Sequence, residues 1–582
     1  MTGRYLLVLG ERRIGWEALV GRMSSLSGLE IAHNQYPVAV LRNGTCRCLA
    51  LGDSGVIVGT LFHRHGPPGP IAALDQRDSD RIAASSGAVL LSAFWGGYVC
   101  AIADGGGHRV LRDPSGGLPC YFIRGAGFAA FASGADLLAA CGLVRPVIDW
   151  GALARHLYSA GLPRPETVID GVSELLPGFA TRTEGSDPQE IAWNPWHHVG
   201  AEARFDVEAQ ADSLARTVRQ AVQGWAASSR RIVLGVSGGL DSSIVAACLR
   251  GAPAQLLCVT LYTGDPAGDE RLYARALCAA LGLELIERPY RLSAVDIERP
   301  FAPQLPRPVG RIQAQAYDRA LVEIAQAGCA DRFMTGNGGD NVFGYSQSAA
   351  AIADRWLAEG IGRGLAGTIA DTCRQTGCGP GEAIRSASRI LRRRHYAWRP
   401  DPRLLAPAVL RDVSDLPLHH PWLEAPKGAL PGKAAHIAGL LRAQHTLEPG
   451  RARFAPVLHP LLAQPVAEAC LAVPSWEWRN GGIDRALARR AFQKALPRMI
   501  VRRRVKGTPD PFSTAVLHAF RPAIRDRLLG GRLVSHGLVD TDAIGLALGD
   551  GVGRSVEDNL RILELVAVEA WLDHWLGLAG TG

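Results

Sequence analysis

The sequence lacks the segments that would carry a chain into or across a membrane. It has no run of about 20 apolar residues, which is the length that a bilayer-spanning helix needs. The first residues, MTGRYLLVLGERRIGW, contain only a short apolar patch and no cleavage signature. We therefore expect a cytoplasmic protein that does not enter a membrane.

Paired cysteine spacings are also missing. The 12 cysteines are scattered, and the close pairs Cys46/Cys48 and Cys373/Cys378 lack the further ligands that a zinc site needs. Scattered, unpaired cysteines of this kind are typical of cytoplasmic proteins, in which thiols stay reduced.

Signatures of nucleic-acid binding are equally scarce. The net charge of +8 is modest for 582 residues, and no aromatic residues alternate with basic ones to form a stacking platform. Basic residues concentrate at 385–399 and 498–506. We interpret the first run as a solvated helix face, and nucleic acid is not an expected partner.

The overall composition is that of a soluble globular enzyme. Hydrophobic residues make up 47% of the chain and charged residues 20%. At roughly 150 residues per domain, the length predicts two to four domains.

The pattern of the chain changes near residue 205. Before it, short apolar runs alternate with Gly, Asp and Asn turns, which predicts a β-rich layered domain. The stretch 184–204 is polar and rich in turn residues, and it is the best linker candidate. We predict two domains, at residues 1–204 and 205–582.

The second part alternates strand and helix patterns. Helices are predicted at 207–226 and 272–281, and strands at 232–236, 256–261, 283–290 and 332–335. This order predicts a parallel sheet with right-handed crossovers, in which ligands bind at the carboxyl ends of the strands. The last 230 or so residues have a mainly helical pattern.

The most informative stretch is IVLGVSGGLDSS, at residues 232–243. A strand-like run ends in Ser237, Gly238 and Gly239, and a helix-like segment begins near Ser242. Glycines let the backbone approach a ligand, and hydroxyls beside a helix start can hold phosphate oxygens. Asp241 would repel a phosphate unless it held a bridging Mg²⁺. The spacing fits neither a Walker loop nor the dinucleotide fingerprint.

A second glycine- and aspartate-rich loop, TGNGGDNVFGY, follows the strand at 332–335. With these two loops the chain resembles the asparagine synthetase superfamily. Further stretches resemble that superfamily too: LRDPSGGLPCYF at 111–122, residues 459–492, and RRRVKGTPDPF at 502–512. Together they look most like the lasso-peptide macrolactam synthetases, called lasso cyclases, with β-lactam synthetases as close relatives.

The resemblance implies an α+β and α/β fold in two parts. The first would be a degenerate, glutaminase-like (Ntn-type) β-sandwich domain. The second would be an ATP-pyrophosphatase domain with a parallel sheet and a helical C-terminal part.

The resemblance also implies roles for individual residues. Asp241 and Asp340 would bind Mg²⁺, and Lys506 would stabilise charge in the transition state. The triphosphate and adenosine of ATP would contact a larger set of residues: Ser237, Gly238, Gly239, Asp241, Ser242, Gly235, Val259 and Gly336.

Departures from the family pattern matter as much as the matches for predicting the function of the first domain. A working glutaminase of this family needs a cysteine directly after the initiator methionine, where this sequence has Thr2. The family's Asn-Gly-Glu motif is also missing, and Asn43-Gly44-Thr45 is interpreted as a hairpin turn. We therefore expect a structural first domain, with the attacking amine carried by the substrate.

The general base is left open. Amidating relatives carry Glu at the position of Asn337, and β-lactam synthetases carry Tyr, but Asn cannot act as a base. His445 and Glu448 are candidates. Alternatively, the α-amine of a peptide, with an ordinary pKa near 8, attacks without much assistance.

These features favour an ATP-dependent lasso-peptide cyclase that acts on a leader-cleaved core peptide. Its expected partners are a leader peptidase and a leader-binding protein. An ammonia-using asparagine synthetase, a β-lactam-forming enzyme, and a catalytically inactive scaffold of a biosynthetic complex are the alternatives.

Overall fold

The computed structural model describes residues 3–11, 13–184, 188–200, 205–393, 396–444, 450–504, 510–549 and 555–580. Within these ranges, no helix is both long and apolar enough to span a lipid bilayer.

The first part of the chain is built mainly of antiparallel strands, with a few short helices around them. The strands are β1 Tyr5–Gly10, β2 Glu30–Gln35, β3 Val38–Arg42, β4 Cys48–Ala50, β5 Gly55–His63, β6 Phe94–Asp104, β7 Gly107–Arg112, β8 Tyr121–Gly125, β9 Phe128–Ala132, β10 Ser173–Glu174, β11 Phe179–Arg182 and β12 Glu190–Ile191. The helices are α1 Trp16–Ser27, α2 Gln76–Ala84, α3 Ala88–Ala93, α4 Ala135–Ala140 and α5 Trp150–Tyr158.

These strands form two six-stranded sheets, in the orders β10-β8-β9-β1-β3-β2 and β12-β11-β7-β6-β5-β4. The central strands β1, β5 and β6 are apolar and buried along almost their whole length, because each sheet is covered on both faces. Alternate residues of the two sheets, such as Leu7, Val58 and Val99, meet in one core. The predicted β-sandwich is confirmed.

The second part contains the predicted parallel sheet. It begins with helix α6 Val207–Ala226, whose first turn is capped by Asp206. The strands are β13 Arg231–Gly235, β14 Gln255–Tyr262, β15 Leu285–Pro289, β16 Arg332–Met334 and β17 Val457–Leu458. They are all parallel, in the order β15-β14-β13-β16-β17.

Helices surround this sheet and make up most of the C-terminal region, as predicted. They are α7 Leu240–Leu249, α8 Arg271–Leu281, α9 Ala314–Ala327, α10 Gly339–Val342, α11 Ala350–Glu359, α12 Arg363–Thr376, α13 Pro380–Arg392, α14 Pro407–Val413, α15 Pro431–Gln444, α16 Gln464–Ala472, α17 Ala486–Phe492, α18 Arg498–Val501, α19 Asp510–Ala519, α20 Arg521–Gly530, α21 Arg532–Ser535, α22 Thr541–Leu548 and α23 Val556–Gly580. Short 3₁₀ helices lie at Pro195–His198, Pro266–Gly268, Leu292–Ala294, Pro421–Leu423, Gly450–Arg453, Pro460–Leu462 and Ser475–Gly482.

Helix α6 joins the sandwich to the parallel sheet. The ring of Trp225 on α6 lies 5.0 Å from that of Phe62 and 6.1 Å from that of Trp95, and the last two stack at 4.3 Å. A Cβ on Gly224 would come within 3.2 Å of Trp95. The two parts of the chain therefore share one hydrophobic core rather than touching at a polar surface.

A buried ion pair crosses the same boundary. Glu174 accepts hydrogen bonds from Arg112 (3.0 Å) and from Arg307 of the second part. Both arginines lower the pKa of Glu174 against the effect of its burial, which alone would raise it. Arg112, from the LRDPSGGLPCYF stretch, also donates to the carbonyl oxygens of Leu118 and Leu175. Its visible role is to hold loops together.

The predicted linker is partly a packed segment. Trp193 and Trp196 are buried, and the Trp196 indole donates to the carbonyl oxygen of Trp422 in the second part. Residues 185–187 and 201–204 lie outside the described part of the chain. The domain boundary at 204/205 stays a prediction.

The turn at Asn43-Gly44-Thr45 is not the predicted hairpin. The strands on either side, β3 and β4, belong to different sheets. The Asn43 Oδ1 atom accepts from Arg4 N and Thr45 Oγ1, so this side chain stabilises a crossing between the two sheets. The hairpin prediction is wrong because it assumed that successive strands pair with each other.

The first basic run lies on helix α13. Ala383 and Ala387 face the protein interior, whereas Arg385, Arg389 and Arg392 are exposed. This is the solvated face that the spacing predicts. Arg394 and His395 lie outside the described residues.

Candidate active site

The phosphate-binding loop predicted after β13 connects that strand directly to helix α7. Gly239 caps the helix with an extended backbone, and the Ser243 hydroxyl donates to the Gly239 carbonyl oxygen at 2.7 Å. The Ser242 hydroxyl lies 3.4 Å from both the amide and the hydroxyl of Ser237. Such long hydrogen bonds are weak, so these hydroxyls can exchange them for phosphate oxygens.

The glycine at position 238 is required by both conformation and space. Its φ angle is +61°, a region that side chains disfavour, and an added Cβ would lie 2.2 Å from the Cβ of Tyr273. Helix α8, which carries Tyr273, therefore packs directly against the loop.

The second glycine-rich loop, after β16, touches the first. A Cβ on Gly336 would lie 2.5 Å from the Ser242 amide nitrogen, and one on Gly339 would lie 2.4 Å from the Asp241 carboxyl carbon. The Thr335 hydroxyl accepts from the Asn337 amide and lies 2.7 Å from His459 Nδ1. The two loops therefore share one crevice, because β13 and β16 are neighbouring parallel strands.

We expect Gly336→Ala to weaken nucleotide binding without unfolding the protein. The added methyl group would meet backbone atoms of the neighbouring loop, which cannot rotate away. Overpacking of this kind costs about 1–3 kcal/mol. The free protein can relieve this strain by moving the two loops apart, and re-forming their contact around the nucleotide would then weaken Mg–ATP binding by up to roughly 150-fold. Isothermal titration calorimetry measures it.

Gly367→Ala is the matched control, because Gly367 lies within helix α12 and nothing lies within 4 Å of an added Cβ. That variant should bind nucleotide normally and be slightly more stable. Wild-type affinity in Gly336→Ala would contradict the close contact between the loops in the nucleotide-bound protein.

A cavity of about 580 Å³ lies over these loops at the carboxyl ends of the strands. Apolar residues of the sheet and of α9 line one part of it, among them Val233, Leu321 and Phe333. The predicted nucleotide and metal residues that line it are Gly235, Ser237, Gly239, Asp241, Ser242, Val259, Gly336 and Asp340. Gly238 lies within the same loop. The structure thus brings these residues together, while their individual contacts to ATP stay predictions.

Asp241 and Asp340 converge on one cation. Asp241 is buried, and its Oδ2 and Oδ1 accept from Arg485 Nη1 at 2.9 and 3.2 Å. Asp340 Oδ1 accepts from the same Nη1. Burial alone would lower the pKa of Arg485, but the carboxylates of Asp241, Asp340 and Asp484 raise it above its ordinary value.

This arrangement fits a magnesium ion. Two carboxylates that reach one nitrogen atom also reach one metal position, and Mg²⁺ prefers such hard oxygen ligands. Among the described residues, no group of three or more His, Cys, Asp or Glu side chains is arranged to hold a metal. At nucleotide sites Mg²⁺ commonly takes its other ligands from phosphate and water.

The second basic run is held against the phosphate loop. Arg503 donates to the Ser237 carbonyl oxygen at 3.1 Å and to Glu270 at 2.6 Å, and its guanidinium lies 3.9 Å from the Tyr273 ring centroid. Arg503 and Arg504 both line the cavity. The arginines before Lys506 are thus partly site residues, whereas Lys506 itself lies outside the described part of the chain.

Several cavity residues were not predicted. Arg485, Arg451 and His459 all line it. Arg451 donates to Asp318 at 2.6 Å, which fixes it beside the ring of Tyr317. No sequence motif predicts that these residues line the cavity, because the fold brings them there from segments that are distant in sequence.

A second cavity, of about 240 Å³, lies between the two parts of the chain. Gly3, Thr45 and Cys46 line it from the first part, and Arg332 and Arg453 from the second. Burial raises the pKa of Cys46 to about 12, although Arg42 opposes the shift. This thiol is therefore protonated at neutral pH.

Comparisons with known proteins identify the family. Residues 213–573 match the asparagine synthase family. The comparison with curated proteins gave no match. Among solved structures, the chain is similar to glutamine phosphoribosylpyrophosphate amidotransferase from B. subtilis complexed with ADP and GMP, at 10% identity over 51% of this chain and 83% of that one, with a TM-score of 0.20. A structure of the allosteric regulatory enzyme of purine biosynthesis matches at 11% identity over 51% and 82%, also with a TM-score of 0.20.

At these TM-scores neither structure supports an argument about this chain. The family match covers more than half of it, including both glycine-rich loops, Arg485 and the RRRVKG segment. The chain therefore belongs to the asparagine synthase family and is an ATP-dependent, amide-forming ligase.

Proposed function

We propose that this ligase is a lasso-peptide cyclase. The side-chain carboxylate of an Asp or Glu in a leader-cleaved core peptide attacks the α-phosphorus of ATP, and pyrophosphate leaves. The N-terminal α-amine of the same peptide then attacks the adenylated carbonyl carbon. AMP leaves, the amine loses a proton, and an isopeptide bond closes the ring.

The main support for this proposal is the protonation state of the cysteine thiols in the first part of the chain. Burial raises the pKa of Cys46 and Cys120 to about 12, and it also raises the pKa values of Cys48, Cys100 and Cys141. A glutaminase of this family requires a reactive thiolate, and the described cysteines of the sandwich provide none. An amine that is already part of the substrate is then the simplest nucleophile.

The cavity supports the first half-reaction. ATP, generally with Mg²⁺, is the family's cosubstrate. The Ser237 and Ser242 hydroxyls line the cavity beside the start of helix α7, as do Arg503 and Arg504. We propose that the hydroxyls and the helix start hold pyrophosphate and that the arginines add positive charge nearby. A bound Mg²⁺ would neutralise charge that develops on the leaving group.

The second half-reaction needs an amine with a free electron pair. Asn337 lines the cavity but cannot take a proton. The candidate bases His445 and Glu448 lie outside the described residues. A peptide α-amine with an ordinary pKa near 8 is about one tenth unprotonated at pH 7 and about half unprotonated at pH 8, so we propose that it attacks without a dedicated base.

The proposal extends to partners and setting. The enzyme would act in the cytoplasm on a precursor core peptide, after a leader peptidase has exposed the α-amine. A leader-binding protein would deliver the precursor to that peptidase.

Substrate-dependent ATP–pyrophosphate exchange and mass spectrometry test this function. We expect exchange, and loss of one water, with leader-free peptides that carry an internal Asp or Glu. An N-acetylated peptide should still support exchange but form no ring, because its amine is blocked. Product from aspartate and ammonia, or from a carboxyethyl amino acid, would instead favour an asparagine synthetase or a β-lactam-forming enzyme. No exchange with any substrate would favour the scaffold.

Glutamine provides a further expected result. The wild-type protein should release no glutamate from glutamine, and Thr2→Ala should cyclise as the wild type does. Coupled glutamate dehydrogenase detects the release. Glutaminase activity that disappears in Thr2→Ala would contradict the structural role of the first domain, since it would make Thr2 the nucleophile.

A further inference from the structure

Arg485 sits where the metal is expected. Its side chain is 10% exposed, as is that of Asp241. One nitrogen, Nη1, donates to both oxygens of Asp241 and to Asp340. A cation that bridges the two carboxylates would have to occupy nearly the same place as this nitrogen atom.

The Nε atom of Arg485 has a partner separate from those of Nη1. Its Nε donates to Asp484 at 2.7 Å, and Asp484 also accepts from Arg489 at 3.0 Å. Arg489 in turn donates to the Val501 carbonyl oxygen at 2.7 Å, which ties this cluster to the start of the basic run. The Tyr345 ring centroid lies 5.4 Å from the guanidinium carbon.

The backbone at Arg485 is unusual too. Its φ is 51° and its ψ is 36°, in the left-handed region, directly before helix α17. Non-glycine residues adopt this conformation at a cost, and it is often found at functional sites. Here it directs a buried arginine toward two aspartates that lie 244 and 145 residues away in sequence.

Mg²⁺ and the Arg485 guanidinium cannot occupy this place together. Two cations at contact distance repel strongly. Water screens this repulsion least at Asp241, whose side chain is 10% exposed, and more at Asp340, whose side chain is 41% exposed. The nucleotide changes this balance, because its phosphates bring negative charge into the same cavity that Arg485 lines. A rotation of the guanidinium would then exchange carboxylate partners for phosphate oxygens.

We propose that Arg485 is an internal counter-ion of the metal site, which holds Asp241 and Asp340 together until Mg²⁺ enters with nucleotide and displaces it. Free Mg²⁺ binds poorly under this arrangement, and the metal arrives as the Mg–nucleotide complex. The inference rests on the proposed function in one respect, since it takes the two aspartates as metal ligands.

Binding of a divalent metal in the absence of nucleotide tests whether Arg485 competes with the metal for the two aspartates. Mn²⁺ is the probe, because the electron paramagnetic resonance signal of the free ion disappears on binding. We expect Arg485→Gln to bind Mn²⁺ at least about tenfold more tightly than the wild type, since a competing cation has been removed. Arg490→Gln is the matched control: Arg490 lies on helix α17, which Arg485 directly precedes, and its exposed side chain pairs with Glu208. It should bind Mn²⁺ as the wild type does.

Two further variants make the result specific. Arg485→Lys keeps the positive charge and should bind Mn²⁺ as weakly as the wild type. Asp340→Asn added to Arg485→Gln should remove the gain. Folding of every variant is checked by circular dichroism. If Arg485→Gln does not fold, Mn²⁺ binding by Arg485→Lys still tests the inference.

The inference is overturned if folded Arg485→Gln binds Mn²⁺ no more tightly than the wild type, or if Arg485→Lys binds it tightly. Either result leaves the proposed function standing, provided that Asp241→Asn still eliminates turnover. A gain that persists with Asp340→Asn would overturn the inference, and it would also contradict the metal role of that aspartate in the proposed function.

Discussion

Asp241→Asn and Asp340→Asn are each expected to abolish ATP-dependent turnover. Asparagine keeps the shape of the side chain but removes one of two convergent anionic ligands, so Mg²⁺ loses a hard carboxylate. A metal ion supplies several kcal/mol of charge stabilisation in such reactions, and we expect a fall in kcat of about 10³-fold or more. Pyrophosphate release at saturating ATP measures it.

The control for these variants is Asp526→Asn, which makes the same change of charge on an exposed residue of helix α20. It should retain full activity. Circular dichroism should show that all three variants are folded. Near-wild-type turnover of either site variant at ordinary Mg²⁺ concentrations would remove that aspartate from the metal site.

Lys506→Ala is expected to lower kcat far more than it weakens ATP binding. By the family resemblance this cation stabilises charge that develops in the transition state, so its loss should leave the ground state nearly intact. Removal of one well-placed donor typically costs roughly 10²–10³-fold in rate. Arg504, two residues earlier in the sequence, lines the cavity, which is consistent with a role for this segment at the site.

Single-turnover formation of AMP and macrolactam with the matching core peptide measures this effect. Lys506→Arg should stay impaired, because a planar guanidinium places its charge differently from an ammonium. Lys494→Ala, which changes an exposed lysine just beyond helix α17, is the control and should react normally. An unimpaired single-turnover rate in Lys506→Ala would rule out a catalytic role.

Local pattern predicted the parallel sheet and both of its ligand-facing loops. Strands β13, β14 and β16 lie where apolar runs end in glycine-containing turns, and β15 lies in the short apolar run that predicted it. Helix α6 has the predicted bounds. Strand β17 escaped prediction because two residues are too few to show a periodic pattern. Its position beside β16 depends on packing between segments more than 100 residues apart.

Arg485 could not be predicted for a related reason. It lies in DRALARRAF, where several arginines at helical spacing look alike. Only the folded chain distinguishes them: Arg485 and Arg489 are buried, whereas Arg490 is exposed. Sequence patterns report which residues alternate with apolar neighbours, but they do not report which charge meets which across the fold.

The aromatic cluster of Phe62, Trp95 and Trp225 has a consequence for how fragments of this enzyme behave and how the chain unfolds. A fragment that begins at residue 205 would expose Trp225 and the adjoining face of α6 to water, and exposed apolar faces of this kind promote aggregation. Heat should therefore melt the whole chain in one cooperative transition rather than in two.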